Sequence, residues 1–584
     1  MRNYWTLTSG NSFLQMPRLL SSIILSLFFL QLSAQEIRDG KYPLSYFRPP
    51  LDLSPVLSGN FGEIRGNHFH SGLDFKTNQQ EGYPVYAVAD GYISRLRVQI
   101  GGGGNIAYIN HPNGFTSVYM HLRNFNDRIS QSIRNYQYRA EKFDVDFPLL
   151  MIEIPVKKGE IIAWSGNTGS SGGPHLHFEL RDTKTEETIN PQLFGISVPD
   201  RVKPTISGIY LYHLNSAPFS ENTPKRFFQV SGGYGKYKLS PDNIISIGGE
   251  AGLGIMTSDK NSASENSNGP YAIELYLDDQ LIHSSVWEKF SFDQSRGINS
   301  HIDYPALISA GRRIQKSFRE PGNPLNIYKN VLNNGIINLG DQNIHDAKYV
   351  VRDIAGNESI LNFRIRFQEG SAKIAKTSGI RKFIYNQINK FDTTGLSLIL
   401  PLNTLYSNLD FTYKSSARPA GGYSPIHHIH TRLIPVHNPY YVSIKADEDL
   451  PIRLRSKALI VNNKKVAQGG VYENGYIRAE LKNFDSFYIT TDTIAPVIIP
   501  VNISSGRNLS AASRIQFRIS DNLSGIDSFT ALIDGRWILM EYDFRTGALW
   551  HRFDGTITSG RHDFQLIVND KKANAGMYHA VFYR

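Results

Sequence analysis

Residues Ser165–Asp182 read SGNTGSSGGPHLHFELRD, a glycine-rich run that ends in two histidines one residue apart. In a β-strand, side chains at i and i+2 project from the same face. If HLHFEL is a strand, His175 and His177 share one face while Leu176 and Phe178 turn towards a core. An isolated H-x-H is most often a pair of ordinary surface histidines, so the rest of the chain has to supply the weight.

The surrounding sequence keeps the same period. YPVYAVADGYISRLRVQ alternates apolar residues with others around an Asp90–Gly91 turn, and NIAYINHPNGFTSVYMHL predicts a hairpin about Asn113–Gly114. KKGEIIAWSGNTG supplies a further strand. Short strands broken by glycine turns over roughly residues 45–195 therefore predict an antiparallel β domain. ISQSIRNYQYRAEKFD, Ile129 to Asp144, has no Gly or Pro and predicts a helix inside an insertion over about residues 124–155.

Three segments of this block bring histidines. HFHSGLD holds His68, His70 and Asp74, VYMHL holds His121, and PHLHF holds His175 and His177. Catalytic zinc takes three protein ligands from His and Asp/Glu and keeps a position open for water. His70, Asp74 and His177 are a suitable set. Zn²⁺ would lower the pKa of its water and polarise a carbonyl. Neighbouring groups must then take the proton and steady the oxyanion, and His121 and His175 are the unspent residues of the right type.

HSGLD, YMHL and SGNTGSSGGPHLHFEL, in that order, resemble the lysostaphin/LytM-type zinc endopeptidases, secreted bacterial enzymes that cut peptide bonds of peptidoglycan. The resemblance covers about residues 55–195, a quarter of the chain. It implies an antiparallel β catalytic domain of the duplicated-hybrid-motif type. It implies His70, Asp74 and His177 as zinc ligands and His121 and His175 as the catalytic pair. The insertion departs from the compact family pattern while leaving all five positions filled, so it bears on access to the groove: it would wall it, cover it or bind a regulator.

After Pro199 the chemistry thins and a repeat appears. KPTISGIYLY resembles APVIIPVNI, LYLDDQLIHSSVWEKFSFD resembles ALIDGRWILMEYDF, and KYVVRDIAGNESILNFRIR resembles DFQLIVNDKKANAGMYHAVFYR. The reading is mainly β: a metallopeptidase domain over 35–200, then three β-sandwich modules, Ig-like at 201–369 and 491–584 with a different accessory module at 370–490. Before them, Arg18, the apolar run Leu19–Leu32 and small residues at Ser33 and Ala34 predict a secretory signal over 1–34, with Met16 as an alternative start. The apolar run is short for a membrane span, with an uncleaved anchor as the alternative, and no later stretch resembles a span.

The chain has no cysteine, which excludes disulfides, thiolate metal sites and cysteine catalysis. Export without disulfides suits a bacterial envelope protein in the periplasm or outer envelope. The net charge of +10, or +8 once Arg2 and Arg18 are removed, is modest for 584 residues and gives no nucleic-acid signal. Gly101–Asn105, GGGGN, lacks the Lys and following helix of a phosphate loop and predicts a turn beside the groove. His68 stays a surface residue. SPIHHIHTRLIPVH repeats the H-x-H spacing at His428 and His430 without an H-x-x-x-D partner, and predicts a strand with exposed histidines.

The function expected is hydrolysis of peptidoglycan peptides, with the D-alanyl–diaminopimelate cross-link favoured over a glycine bridge. The C-terminal modules would hold the wall or an envelope protein partner. The alternatives are a non-catalytic envelope protein that binds wall or regulates other hydrolases, and a site masked by the insertion until a partner moves it. Non-catalytic relatives of this type lack one or more of the five residues; this chain keeps them all.

Overall fold

His175–Asp182 is a strand near the middle of the N-terminal sheet. The computed structural model describes residues 42–369, 379–553 and 555–584, so the expected signal over 1–34 lies outside the described residues. The sheet order is Leu57–Gly59, Leu73–Lys76, His175–Asp182, Phe115–Met120, Asn105–Asn110, Gly91–Val98 and Val145–Pro148. Each neighbouring pair is antiparallel.

The period-2 pattern accounts for the packing. Leu176, Phe178 and Leu180 are buried on one face, and Phe178 meets Tyr119 of the next strand with ring centroids 5.3 Å apart. Each such side chain contributes about 1.5–3 kcal/mol by leaving water. Register then sets the opposite face: His177 stands across from Asp74 on one side and from Met120 on the other. Asp74 and His177 therefore share a face, and His121 follows Met120 into the same region. A one-residue slip would turn all of them into the core, so the buried leucines and phenylalanine also hold the site in register. Close approach of the segments that carry His70 and His177 depends on Gly72, where a Cβ would sit 2.2 Å from the Phe178 carbonyl oxygen.

The insertion forms a helix over Asp127–Ala140, offset from the expected Ile129–Asp144. Asn126 caps its first turn by accepting from the Ile129 N–H, and Glu141 ends it in the left-handed region at φ 48°. Val145–Pro148 then pairs with the Gly91–Val98 edge, with three strands between it and His175–Asp182. The strand of the insertion extends the sheet at the edge away from the H-x-H strand.

Beyond residue 200 the chain is again mainly β. Strands between Thr205 and Phe367 join in one eleven-stranded hydrogen-bonded sheet, including a parallel pairing of Lys236–Leu239 with Glu358–Phe367. The next segment has two five-stranded sheets that share a core containing Val442 and Phe487. The last has a four- and a five-stranded sheet, whose Phe517 and Phe564 rings stack at 5.4 Å. Among the described residues, no helix is long and apolar enough to cross a membrane.

Residues 43–584 pack as a single unit, and the contact that matters most for the site lies under His70. Thr188–Ile189 pairs with Lys289–Phe290, which carries the N-terminal sheet into the first module. Trp287 and His301 lie against Phe69 with ring centroids 6.1 and 6.0 Å away, and Ser295 Oγ accepts from the Phe69 N–H at 3.1 Å. Gly62, at φ 80°, is pressed onto the Trp287 ring. Trp287 is 1% exposed, so Trp287→Ala is expected to cost about 3–5 kcal/mol. It should also speed amide exchange through residues 60–70, read by hydrogen-exchange mass spectrometry. Unchanged exchange there would make the first module a passive neighbour of the His70 segment.

Candidate active site

The residues expected from the sequence meet at one point. His70 Nε2 lies 3.0 Å from Asp74 Oδ1 and 3.0 Å from His177 Nδ1, and His177 Nδ1 lies 2.9 Å from Asp74 Oδ1. All three residues are 6% exposed.

The far sides of the two rings decide what this cluster can hold. His70 Nδ1 is 2.7 Å from the Asn60 carbonyl oxygen, which can only accept, so Nδ1 carries the proton. His177 Nε2 is 2.9 Å from Glu179 Oε1 and donates to it. Glu179 is itself fully buried, tied to Arg181 Nε at 2.6 Å and to the Ser71 hydroxyl. Burial opposes its charge, but Arg181 and His177 outweigh it and bring its carboxyl down to about 2. Both imidazoles thus turn a bare nitrogen towards an Asp74 oxygen. Three acceptors converging within about 3 Å repel one another unless a cation sits among them. The donor set of two nitrogens and one carboxylate oxygen fits Zn²⁺ with an open position.

Without the metal, a proton does part of that work. Burial disfavours charge on His177, yet Asp74 and Glu179 outweigh it and push its pKa up to about 9. Asp74 is buried too, and its histidine neighbours hold its carboxyl well below the usual range. Arg65 Nη2 approaches Asp74 Oδ2 at 3.1 Å and neutralises that side.

The remaining two histidines line the same space. His175 Nδ1 is 2.8 Å from the Gly173 carbonyl oxygen, and its Nε2 lies 3.4 Å from Asp74 Oδ1. His121 Nδ1 donates to the Thr168 carbonyl at 2.9 Å, and its ring centroid is 4.8 Å from that of His175. Each ring thus fixes its Nδ1 proton on a loop carbonyl and keeps Nε2 as the acceptor. Burial first, then the charges of His177 and His175, drive the His121 pKa down to about 3, so His121 is neutral at neutral pH. Its backbone sits at φ 61°, uncommon for a residue with a Cβ, and is held there by its N–H donating to the Gly103 carbonyl at 2.8 Å. The GGGGN run is a seat for this arrangement. Gly104, at φ 66°, packs where a Cβ would lie 2.3 Å from Thr168 Oγ1.

Other sequence candidates stand apart. His68 is exposed, bonded to the Gly66 carbonyl. Of the second H-x-H region, His427 is 2% exposed rather than on the surface, because the Ile426–Ile429 strand turns it inward against the Tyr413 hydroxyl. His428 is bonded to Ser486 and Ser416, and among the described residues no carboxylate joins these rings in a metal-sized cluster.

Glu179 continues the His175, His177 alternation onto the same face, a signal present in the sequence outside the three motifs. It is a positioning residue for His177. Glu179→Ala is expected to weaken zinc binding 10–100-fold, with Glu179→Gln between it and the wild type, by competition against a chromophoric chelator. Equal affinity in all three proteins would remove Glu179 from the metal site.

Residues 68–138 match the peptidase family M23 description and residues 381–492 that of a Zu5-like domain. An uncharacterized metalloprotease from Haemophilus influenzae is 38% identical over 141 residues, 23% of this chain and 24% of that protein. The DD-carboxypeptidase/endopeptidase Mpg of Neisseria meningitidis serogroup B is 34% identical over 131 residues, 22% of this chain and 24% of that one. The glycyl-glycine endopeptidase ALE-1 of Staphylococcus capitis is 35% identical over 152 residues, 26% of this chain and 33% of that one. The similarity thus spans only a quarter to a third of these relatives' length. Among solved structures, the catalytic domain of lysostaphin from Staphylococcus simulans is 28% identical, covering 24% of this chain and 90% of that chain at a TM-score of 0.17.

Proposed function

Since the chain carries a peptidase family M23 domain, we propose that it is a zinc metalloendopeptidase that hydrolyses peptide bonds in the stem peptides and cross-links of peptidoglycan. It works as an exported protein of the periplasm or outer envelope, with residues 1–34 removed. The observation that carries this reading is the convergence of His70 Nε2, Asp74 Oδ1 and His177 Nδ1, all acceptors, beside two histidines whose Nε2 atoms are unspent.

Zinc held by those three atoms would supply Lewis-acid polarisation of the scissile carbonyl and a water of lowered pKa. The chain's own residues do the rest. Asn60 and Glu179 keep the two ligand rings turned with bare nitrogens inward. His121, with its Nδ1 proton held on the Thr168 carbonyl, presents a bare Nε2 to take the attacking water's proton. His175 beside it would do this work only as the imidazolium, with a second proton on Nε2 that is donated to the oxyanion or passed to the leaving amine.

The test is a digest of purified sacculi by zinc-loaded residues 35–584, with released peptides separated and weighed. Loss of cross-linked dimers, abolished by a chelator and restored by zinc, supports the peptidase and names its bond. Zinc-replete protein that releases nothing supports a masked site, and continued silence after deletion of residues 124–155 supports the non-catalytic alternative.

One contact favours gating as a second reading. Arg545, on the last module, donates from Nη1 to the Ser171 carbonyl at 2.8 Å, and Ser171 Oγ is 3.2 Å from His175 Nδ1. The same module sets Trp537 against Tyr138 of the insertion helix, ring centroids 5.2 Å apart. A charge-assisted hydrogen bond is worth about 1.5–3 kcal/mol, so Arg545→Ala is expected to raise the initial rate of dye release from labelled sacculi by about tenfold. A fall would make Arg545 a support of the His175 loop, and no change would leave the last module outside the reaction.

A further inference from the structure

The two copies of the internal repeat share a feature that the peptidase reading does not use. Asp200, Asp259 and Asp353 place carboxylate oxygens within 4.8 Å of one another, and so do Asp492, Asp521 and Asp570. The positions correspond one by one. Asp200 and Asp492 each stand four residues before a proline, Pro204 and Pro496. The residue after that proline, Thr205 or Val497, pairs with Ser258 or Ser520, immediately before Asp259 or Asp521. Asp353 and Asp570 open matching turns. In each, the side-chain carboxylate accepts from the backbone N–H of an asparagine four residues on, Asn357 or Asn574, at 2.8 Å in both copies. The same asparagine's amide donates to the other carboxylate oxygen, at 2.7 and 2.6 Å, and to the backbone carbonyl of Asp200 or Asp492.

Shared sequence and turn geometry would alone describe a folding motif. A separate observation points to a ligand. Asp259 is 4% exposed, and its Oδ1 is buried with no hydrogen-bond partner among the described residues. In the second copy Asp521 is half-buried, and its Oδ2 accepts from the Leu523 and Gly525 N–H groups while its Oδ1 is buried without a partner. Asn268, which pairs with Asp259 across an antiparallel bridge, is 3% exposed and also has an unpartnered Oδ1. Among the described residues no ion pair reaches any of the six aspartates; Lys572 feels the charges of Asp492 and Asp570, but its ammonium donates to the Gly470 carbonyl.

An unpartnered buried carboxylate oxygen costs several kcal/mol, and three carboxylates in one place repel. Burial first, then Asp353 and Asp200, push the Asp259 carboxyl up to about 8. A cation removes both penalties. With only oxygen donors offered, the cation is hard, and clustered carboxylates with asparagine and backbone oxygens nearby suit the larger, geometrically tolerant Ca²⁺ over Mg²⁺ or Zn²⁺.

We propose that each copy of the repeat binds one Ca²⁺ ion, through Asp200, Asp259 and Asp353 in the first and Asp492, Asp521 and Asp570 in the second. Asp200 lies where the chain leaves the peptidase block, and Asp492 lies where it leaves the Zu5-like segment. Each ion would fasten a linker to the module that follows and stiffen the joint. This role is independent of the zinc site and of the peptidase reading.

The test uses residues 35–584 with zinc saturated and calcium as the only added probe. Equilibrium dialysis at about 10 mM free calcium, about tenfold above the weakest affinity of extracellular modules, is expected to give close to two ions per chain. Asp259→Asn and Asp521→Asn should each leave one, and the double variant none, while Asp74→Ala keeps both. Calcium should raise the melting temperature of the wild type and not that of the double variant. In calcium-free buffer Asp259→Asn should melt no lower than the wild type, because it removes a buried acid; Asp353→Asn repeats the stoichiometry test if that variant is poorly folded. No binding by the wild type, or undiminished binding by the variants, overturns the proposal.

Discussion

Asp74→Ala is expected to strip the metal from the site and to lower peptide release from sacculi by on the order of a thousandfold or more. Asp74 is the hub of the cluster: its Oδ1 lies 3.0 Å from His70 Nε2, 2.9 Å from His177 Nδ1 and 3.4 Å from His175 Nε2. Its removal takes away the one anionic ligand and leaves Arg65 facing two histidines, an arrangement that repels a divalent cation. Elemental analysis should find under one-tenth of the wild-type zinc. Asp74→Asn, which keeps the shape, should hold zinc weakly and serves where the alanine variant folds poorly. Full zinc content with full activity in both variants would place the chemistry elsewhere.

His175→Ala is expected to separate chemistry from metal binding. Its Nδ1 is spent on the Gly173 carbonyl, and its Nε2 faces the site without belonging to the three-atom cluster. The variant should retain stoichiometric zinc while kcat falls about 10²–10⁴-fold with KM little changed, the loss expected for a group acting on a proton or an oxyanion in the transition state. His121→Ala should behave alike. The double variant should be little worse than the weaker single one, because the two rings serve one step. Zinc loss in His175→Ala would instead make His175 a ligand and leave the reaction with His121 alone.

Much of the site was legible because strands have a period of two. The H-x-H spacing put His175 and His177 on one face and Leu176 and Phe178 on the other without any knowledge of partners. Motif order then linked HSGLD to that face. The same period would have added Glu179, whose partner Arg181 is two residues further on. The helix of the insertion was legible from its lack of breakers, although its ends moved to where Asn126 caps and Glu141 turns left-handed.

What the sequence by itself determined was local. It specified strands by alternation, turns by glycine, and five chemistry-bearing residues by type and spacing. Tertiary structure decided which of these meet, because contacts between residues far apart in the chain depend on register and docking that no local pattern encodes. The pairing of His177 with Asp74 follows from strand order. Seating of the His70 segment on Trp287 and His301 needs a module more than 200 residues away. The Arg545 contact with the His175 loop crosses 374 positions. The matched aspartates were scattered letters until the two β modules folded them into clusters. Burial likewise belongs to the fold: it makes His121 neutral and leaves Asp259 Oδ1 without a partner, since a side chain's solvent is set by everything packed around it.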